Sequence, residues 1–410
     1  MDELKIVLAG HIDHGKSTLI GRLLYETGSL SAELSALLAP IAETGGEERA
    51  FAYVLDHLAE ERADNITIDT AQVFLRRPER HYVLIDAPGH KEFVRNMVTG
   101  ASQADAALLI VAANDGVCEQ TRRHCNLLAM LGVRQIVIAV NKMDKVMYSR
   151  RIFEFIRDQL ARHLAGLGLT PAAIVPLSAQ RGENLLRSSD RLGWYTGRTL
   201  MAELEALSPA RPVQAMLVVP VQDVYADGWA AGRVEAGCLS AGQGVTVNPA
   251  GQSATVEELT TFKGAVAHAP AGWCVAMRLS GSALARGMTL SDAARPLPAR
   301  PSATAKLFWM SQQPLRAGAE FLFHCATQGC GVRVVAIDRR IDSATMETIP
   351  APGETAQTDA TPAEAHFTDI VEVRLQFDQP IVYLPFGELP EIGRFTLSQD
   401  KEVVAGGIFS

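Results

Sequence analysis

Short apolar runs alternate with amphipathic stretches through the first half of the chain. The apolar runs predict strands at Lys5–Ala9, Tyr82–Ile85, Ala106–Ala112, Gln135–Val140 and Ala173–Pro176. Apolar residues three and four positions apart predict helices between these strands, at Lys16–Tyr25, Thr121–Leu131 and Arg151–Leu164. Strands that alternate with helices predict an α/β domain with a mostly parallel sheet and helices on both faces.

The pattern changes after Pro209 and Pro212, where helical periodicity nearly stops. Two series of short β-type runs with glycine turns follow, separated by a second proline-rich break at Arg295–Pro301. Each series is typical of a small antiparallel β-barrel. We therefore predict three domains, an α/β domain at 1–208 and β-barrels at 212–296 and 301–410.

Composition limits the classes of protein that remain. The 410 residues are 48% hydrophobic and 20% charged, which is typical of a globular protein, and no apolar run is long enough to predict a membrane span. The six cysteines form no C-x-x-C pair and no zinc-type spacing, so we expect reduced thiols in a cytoplasmic protein. The net charge is −8, and the second half has more acidic than basic residues, which argues against a nucleic-acid partner.

A phosphate-binding loop is predicted at the start of the chain. Gly10–Ser17 fits G-x-x-x-x-G-K-[ST] between the first strand and the first helix, the context that this motif requires. Its backbone N–H groups can point at phosphate oxygens, and the Lys16 side chain can reach the β- and γ-phosphates. The predicted phosphate-binding residues of this loop are Asp13, His14, Gly15, Lys16, Ser17 and Thr18.

A second motif, Asp86-Ala87-Pro88-Gly89-His90, ends the strand HYVLI. Asp86 can hold Mg²⁺ through water, and the Ser17 hydroxyl can bind the same ion directly, because Mg²⁺ prefers oxygen ligands. Gly89 can offer its N–H to the γ-phosphate, since no side chain blocks the approach. Thr67 lies between the two motifs and is the candidate switch residue, whose hydroxyl completes the Mg²⁺ shell when GTP is bound.

The base is predicted to be guanine. Asn141-Lys142-Met143-Asp144 follows the strand QIVIAV, and the Asp144 carboxylate can accept hydrogen bonds from N1–H and the 2-amino group of guanine. Asn141 and Lys142 are expected to support this loop and the base. Ser178 and Ala179 follow a later strand, and the Ala179 backbone N–H is expected to face the guanine O6. The predicted ligands are therefore GTP or GDP with Mg²⁺.

Together these motifs resemble translation-factor GTPases of the elongation factor Tu and elongation factor 1-alpha type. The resemblance extends over the whole chain, and it includes DAPGHKEFVRNMVTGASQADAALLIVAA and the later VVPVQDVYADGWAAGRVEAG. It implies that His90 is the catalytic residue that orients the attacking water. Asn65 stands where the family usually has glycine, which affects the expected behaviour of the switch.

Within this superfamily the chain looks most similar to the GTPase subunit of bacterial sulfate adenylyltransferase. The stretches KLFWMSQQPL and RRIDSATMETI carry this closer resemblance. It implies that GTP hydrolysis drives the synthesis of adenosine 5′-phosphosulfate from ATP and sulfate. It also implies a hetero-oligomer with an adenylyltransferase subunit of the ATP-pyrophosphatase type, which carries the adenylyl-transfer residues.

Two other functions remain open from the sequence. The chain can be an elongation-factor-like GTPase that delivers a tRNA. It can also be a GTPase that serves another partner, for instance in sulfate activation within a specialised biosynthetic route. The acidic second half and the FWM…PL stretch favour the sulfate reading over tRNA delivery.

Overall fold

The computed structural model describes residues 2–32, 34–36, 38–39, 51, 71–86, 104–208, 216–225, 227–281, 283–343, 345, 347–349 and 364–410. They form two compact units, Met1–Ala210 and Arg211–Ser410. Among the described residues, no helix is long and apolar enough to cross a membrane.

The first unit is built on one six-stranded sheet with the strand order β2-β3-β1-β4-β5-β6. Its strands are β1 Asp2–Gly10, β2 Ala71–Arg76, β3 Arg80–Asp86, β4 Ala106–Ala112, β5 Gln135–Asn141 and β6 Ala173–Pro176. Its helices are α1 Lys16–Glu26, α2 Glu119–Met130, α3 Arg150–Gly166 and α4 Leu200–Glu205, with 3-10 turns at Met143–Val146 and Asp190–Leu192. All neighbouring strands are parallel except β2 and β3, so the predicted α/β fold is confirmed.

The burial of the central strands explains why the sequence pattern predicted this sheet well. Every residue of β4 is buried, as expected for a parallel strand that is covered on both faces. The edge strand β2 was not predicted from the pattern. It is antiparallel to β3, and its Phe74 is half exposed, so its sequence lacks the continuous apolar run of a central strand.

The second unit contains two closed antiparallel barrels, as the sequence predicted. The strands of the first barrel are β7 Val218–Val224, β8 Ala230–Arg233, β9 Cys238–Ser240, β10 Gly244–Asn248, β11 Gln252–Thr261, β12 Gly264–Ala265, β13 His268–Pro270, β14 Cys274–Ser280 and β15 Thr289–Asp292. The order β10-β15-β7-β8-β14-β11 closes into a ring because β10 also pairs with β11, while β9 pairs with β13 in a separate ribbon.

The second barrel follows the same principle. Its strands are β16 Ala299–Trp309, β17 Glu320–Cys325, β18 Gln328–Ile341, β19 Thr348–Ile349, β20 Ile370–Val382, β21 Arg394–Gln399 and β22 Glu402–Phe409, and a short helix, α5 Pro390–Gly393, precedes β21. The ring β17-β21-β22-β16-β20-β18 closes through the pairing of β17 with β18. Side chains of β17 alternate between exposed and buried along its whole length, the pattern of a barrel strand with one face on the core.

The second proline-rich break is shorter than predicted. Strand β16 already begins at Ala299, so Arg300 and Pro301 belong to the barrel. The pairing of β16 with β20 shifts between Arg300 and Ser302, and proline, which has no N–H to donate, is tolerated at such an irregularity. The three predicted domain bounds remain a prediction.

Candidate guanine-nucleotide site

The phosphate loop lies between the end of β1 and the start of α1, as the motif predicted. Gly15 precedes the helix with φ of 88°, and Asp13 also has a positive φ of 62°. Glycine adopts such a conformation without steric cost, and the turn directs the backbone N–H groups at the helix start toward the space where phosphate binds. Ser17 and Thr18 are in the first turn of α1, and Thr18 is buried.

Lys16 is the buried cation of this loop. Its Nζ donates hydrogen bonds to the carbonyl oxygens of Gly10 at 2.7 Å and His11 at 3.4 Å. Burial lowers the pKa of Lys16, whereas the charges of Asp86 and Asp13 raise it. The ammonium group is therefore held at the loop by backbone carbonyls, and phosphate oxygens can replace them as partners.

Asp86 ends β3 beside Lys16. Burial raises the pKa of its carboxyl group, and the charge of Lys16 opposes that shift. Its Oδ1 is buried without a hydrogen-bond partner among the described residues. A buried carboxylate oxygen of this kind fits the oxygen-ligand chemistry of Mg²⁺. Lys16, whose charge acts on this carboxyl group, is followed directly by Ser17 on the first turn of α1.

His14 is the most buried polar residue of the loop, with 0% exposure. Its Nδ1 lies 3.1 Å from the Ile110 carbonyl oxygen of β4, and because a carbonyl can only accept, Nδ1 donates. Burial lowers the pKa of His14, and the carboxylate of Asp115, 3.7 Å from Nε2, opposes that shift. The side chain of His14 thus attaches the loop to the sheet, and the predicted phosphate contact of this residue stays a prediction.

Asn141 connects the phosphate loop to the base-binding loops. Its Nδ2 donates to the His14 carbonyl oxygen at 2.9 Å, and its Oδ1 accepts from the Ala179 backbone N–H at 2.9 Å. The side chain is buried, and a Cβ added to Gly15 would lie 2.5 Å from Nδ2. Asn141 therefore fixes both loops at once, and the Ala179 N–H that we expected to face guanine has this protein partner in the structure.

Asp144 and Ser178 meet at the far side of the same pocket. The Ser178 hydroxyl donates to Asp144 Oδ1 at 2.6 Å, which leaves Oδ2 for a ligand. Lys142 has a positive φ of 61°, which turns the chain sharply from β5 into the 3-10 turn that carries Asp144. The pocket is lined by Gly15, Thr18, Asn141, Lys142, Asp144, Ala179 and Gln180.

Sequence reasoning missed two groups near this site. Gln180 lines the base pocket directly after the predicted Ser178-Ala179 pair. His124 on α2 is fully buried, and the positive charges of Lys16 and His14 contribute to lowering its pKa, although burial is the main cause. Only the adjacency of Gln180 gave a signal, because nothing in the sequence places α2 beside the phosphate loop. The predicted residues Thr67, Gly89 and His90 lie outside the described residues.

The fold and the phosphate loop define a P-loop nucleotide-binding protein with two β-barrels. Residues 2–223 match the family described as elongation factor Tu GTP binding domain, and residues 302–410 match the family described as GTP-eEF1A C-terminal domain-like. The chain therefore belongs to the elongation factor Tu family of GTPases and binds guanine nucleotides.

Relatives resemble the chain over nearly its full length. Elongation factor 1-alpha of Methanospirillum hungatei is 34% identical over 418 residues, which cover 99% of this chain and 96% of that protein. Elongation factor 1-alpha of Pyrococcus furiosus is 34% identical over 423 residues, with the same coverage of 99% and 96%. A crystal structure of sup35 complexed with GDP has 24% identity and a TM-score of 0.45, and it covers 100% of this chain and 93% of that one.

These relatives correct the functional prediction. The chain was expected to be the GTPase subunit of sulfate adenylyltransferase, and that prediction is wrong, because the full-length relatives are named elongation factor 1-alpha. The physical reason lies in the third-domain stretch that favoured it. Phe308, Trp309 and Leu315 of KLFWMSQQPL are buried in the second unit, so they report barrel packing and not a partner. The adenylyltransferase partner was expected from the same resemblance, and that expectation remains untested.

Proposed function

We propose that this chain is an elongation-factor-type GTPase that carries an aminoacyl-tRNA in its GTP-bound form. The observation that supports this proposal is the similarity to elongation factor 1-alpha along 99% of the chain, both barrels included. A protein that shared only the GTPase chemistry would need to match only in the first unit.

The nucleotide half of the proposal assigns roles to the residues of the first unit. Ser17 and Asp86 would hold Mg²⁺, which when bound neutralises phosphate charge, and Thr67 would join them in the GTP state. Lys16 exchanges its backbone carbonyl partners for phosphate oxygens, Asp144 accepts from the guanine ring, and Gly89 donates to the γ-phosphate. His90 orients the attacking water.

The RNA half of the proposal needs a surface that accepts phosphate in an otherwise acidic second unit. A cavity of about 530 Å³ lies in this unit, between the turn before β15 and the turn between β17 and β18. Arg286 and His324 line it, both are exposed, and no Asp or Glu is among the described residues that line it. Arginine recognises phosphate well because its planar donors match two oxygens. The lining of this cavity is therefore locally basic, although the second unit has more acidic than basic residues. The expectation that the chain does not bind nucleic acid remains untested.

The test is protection of the aminoacyl ester against spontaneous hydrolysis. The purified chain is mixed with aminoacyl-tRNA and either GTP or GDP, and the ester half-life is measured. We expect a longer half-life with GTP than with GDP or without protein. Arg286→Gln should weaken protection. Arg316→Gln should not, because Arg316 is an exposed arginine of the second barrel that pairs with Glu364 and does not line the cavity. Equal half-lives with GTP, with GDP and without protein would contradict the proposal.

A further inference from the structure

Helix α1 carries a buried arginine that none of the nucleotide motifs explains. Arg22 lies on the helix that begins at the phosphate loop, and only 7% of its surface is exposed. Arginine is rarely buried to this extent unless its donors are paired, because removal of a charge from water is costly. The partners of its guanidinium group therefore indicate what it does.

One partner belongs to the base-binding loop. Arg22 Nη1 donates to the Gln180 carbonyl oxygen at 3.3 Å, although the two residues are 158 positions apart. Gln180 lines the base pocket and directly follows Ala179, which Asn141 holds from the other side. The guanidinium group thus contacts a segment that lines the base pocket.

The other partners fix the orientation of the guanidinium group. Arg22 Nε donates to Glu26 Oε1 at 2.6 Å, one helical turn away. The Phe51 ring centroid lies 5.1 Å from the guanidinium carbon, and Phe51 is itself buried. Gly182, with a positive φ of 72°, leaves room for this arrangement, because a Cβ there would collide with Arg22 Nη2 and Glu26 Oε1.

We propose that Arg22 is a positioning residue for guanine binding, which acts through the Gln180 carbonyl and does not touch the nucleotide. The physical reason is that the loop after β6 is held on one side by Asn141 and on the other by Arg22. Without the second contact, the Ala179–Gln180 segment can move away from the base while the phosphate loop keeps its own hydrogen bonds. The proposal depends on the guanine pocket alone and not on delivery of a tRNA.

The experiment compares Arg22→Met with wild type in the full chain. Methionine keeps an unbranched apolar side chain against Phe51 and removes every donor. We expect GDP to dissociate about tenfold faster, the effect of losing one hydrogen bond from a charged donor. Release of a fluorescent GDP analogue into excess unlabelled GDP measures this rate.

A second readout separates positioning from general loosening of α1. Inorganic pyrophosphate competes with GDP for the phosphate loop and has no base. If Arg22 acts through the base loop, the affinity of Arg22→Met for pyrophosphate equals that of the wild type, whereas its affinity for GDP is lower. An equal loss for pyrophosphate and GDP would overturn the proposal.

The matched control is Arg150→Met on α3. Arg150 also donates from Nε to a glutamate one turn away, Glu154 at 2.9 Å, but this pair is exposed, and it lies on α3 and not on the helix that follows the phosphate loop. We expect wild-type GDP release in this variant. If Arg22→Met does not fold, Arg22→Lys replaces it, because a lysine can keep the Glu26 pair but cannot bridge Glu26 and Gln180 together. GDP release from Arg22→Lys at the wild-type rate would also overturn the proposal.

Discussion

At the scale of single residues, the site depends on polar groups that have one fixed partner and one side left for a ligand. Asp144 illustrates this arrangement, because Ser178 occupies Oδ1 and thereby orients the carboxylate toward the pocket. Selectivity for a base then follows from which donors the base can offer to the remaining oxygen.

We expect Asp144→Asn to shift the preference from guanine toward xanthine nucleotides. Asparagine presents an N–H donor where aspartate presents only acceptors, and xanthine has a carbonyl where guanine has its 2-amino group. Competition between GDP and xanthosine diphosphate measures the change. Asp158→Asn, an exposed aspartate on α3, should leave the preference unaltered. A mutant with wild-type affinity for GDP would show that Asp144 does not read the base.

His124 gives a residue-scale prediction on pH. Burial first, and then the charges of Lys16, His14 and His11, lower its pKa well below 6.5. The unfolded chain therefore binds the proton more readily than the folded one, so stability is full above pH 6.5 and falls as the pH drops below that value. We expect the melting temperature of the wild type to fall between pH 7.5 and pH 5 by more than that of His124→Asn.

The comparison for His124 is Thr121→Ser, at a buried threonine on the same helix whose side chain does not titrate. This variant should keep the pH dependence of the wild type. Identical melting curves against pH for wild type and His124→Asn would show that His124 does not contribute.

At the scale of secondary-structure elements, the site is an assembly of loops at the carboxyl ends of parallel strands. Strand β3 neighbours β1 and strand β5 neighbours β6, with β4 between the two pairs. Their carboxyl ends lie along one edge of the sheet, which places the phosphate loop, Asp86, Asn141 and Ser178 at that edge. Asn141 has a special position in this assembly, because its single amide bonds to two different loops.

We expect Asn141→Ala to weaken GDP binding by about 30-fold or more, since two buried hydrogen bonds worth roughly 1 kcal/mol each are lost. Equilibrium titration with a fluorescent GDP analogue measures the affinity. Asn184→Ala is a close control, because Asn184 is also buried and also bonds to two backbone groups, those of Pro176 and Ser189, without lining the pocket. It should lower stability but change GDP affinity far less. Equal affinity losses in both variants would contradict the role given to Asn141.

At the scale of the whole molecule, the second unit contains two barrels that share a buried apolar cluster. Val218, Ala236 and Leu297 come from the first barrel and the segment after it, and Val382, Leu384, Leu389 and Ile392 come from the second barrel. Burial of this surface is lost if the barrels separate, so the cluster stabilises their association.

We expect Leu389→Ala to lower the free energy of unfolding of the second unit by about 2–5 kcal/mol, the usual cost of this truncation at a buried site. Leu389 is 2% exposed. The truncation leaves a cavity in the apolar cluster that the two barrels share. Calorimetry should therefore show separate barrel transitions in the variant where the wild type shows one. Leu322→Ala, at a half-exposed leucine on the outer face of β17, should keep both the stability and the shape of the transition. A single unshifted transition in Leu389→Ala would contradict the coupling.

The sequence by itself determined the class of fold and predicted most residues that line the candidate nucleotide pocket. The reason is that these signals are local. Periodicity within one strand or helix reports its burial, and Gly10–Ser17 needs only a strand before it and a helix after it. The superfamily resemblance was confirmed for the same reason, whereas the closer resemblance failed because it used core residues of a barrel such as Phe308 and Trp309.

Tertiary structure alone decided which distant residues support that site. Nothing near Arg22 in the sequence indicates Gln180, and nothing near His14 indicates the Ile110 carbonyl or Asp115. Such contacts depend on the order of strands in a sheet and on the packing of helices against it. The sequence pattern of a single segment predicts neither the strand order nor the helix packing. The edge strand β2 shows the same limit, because its pairing with β3 and not its own composition makes it a strand.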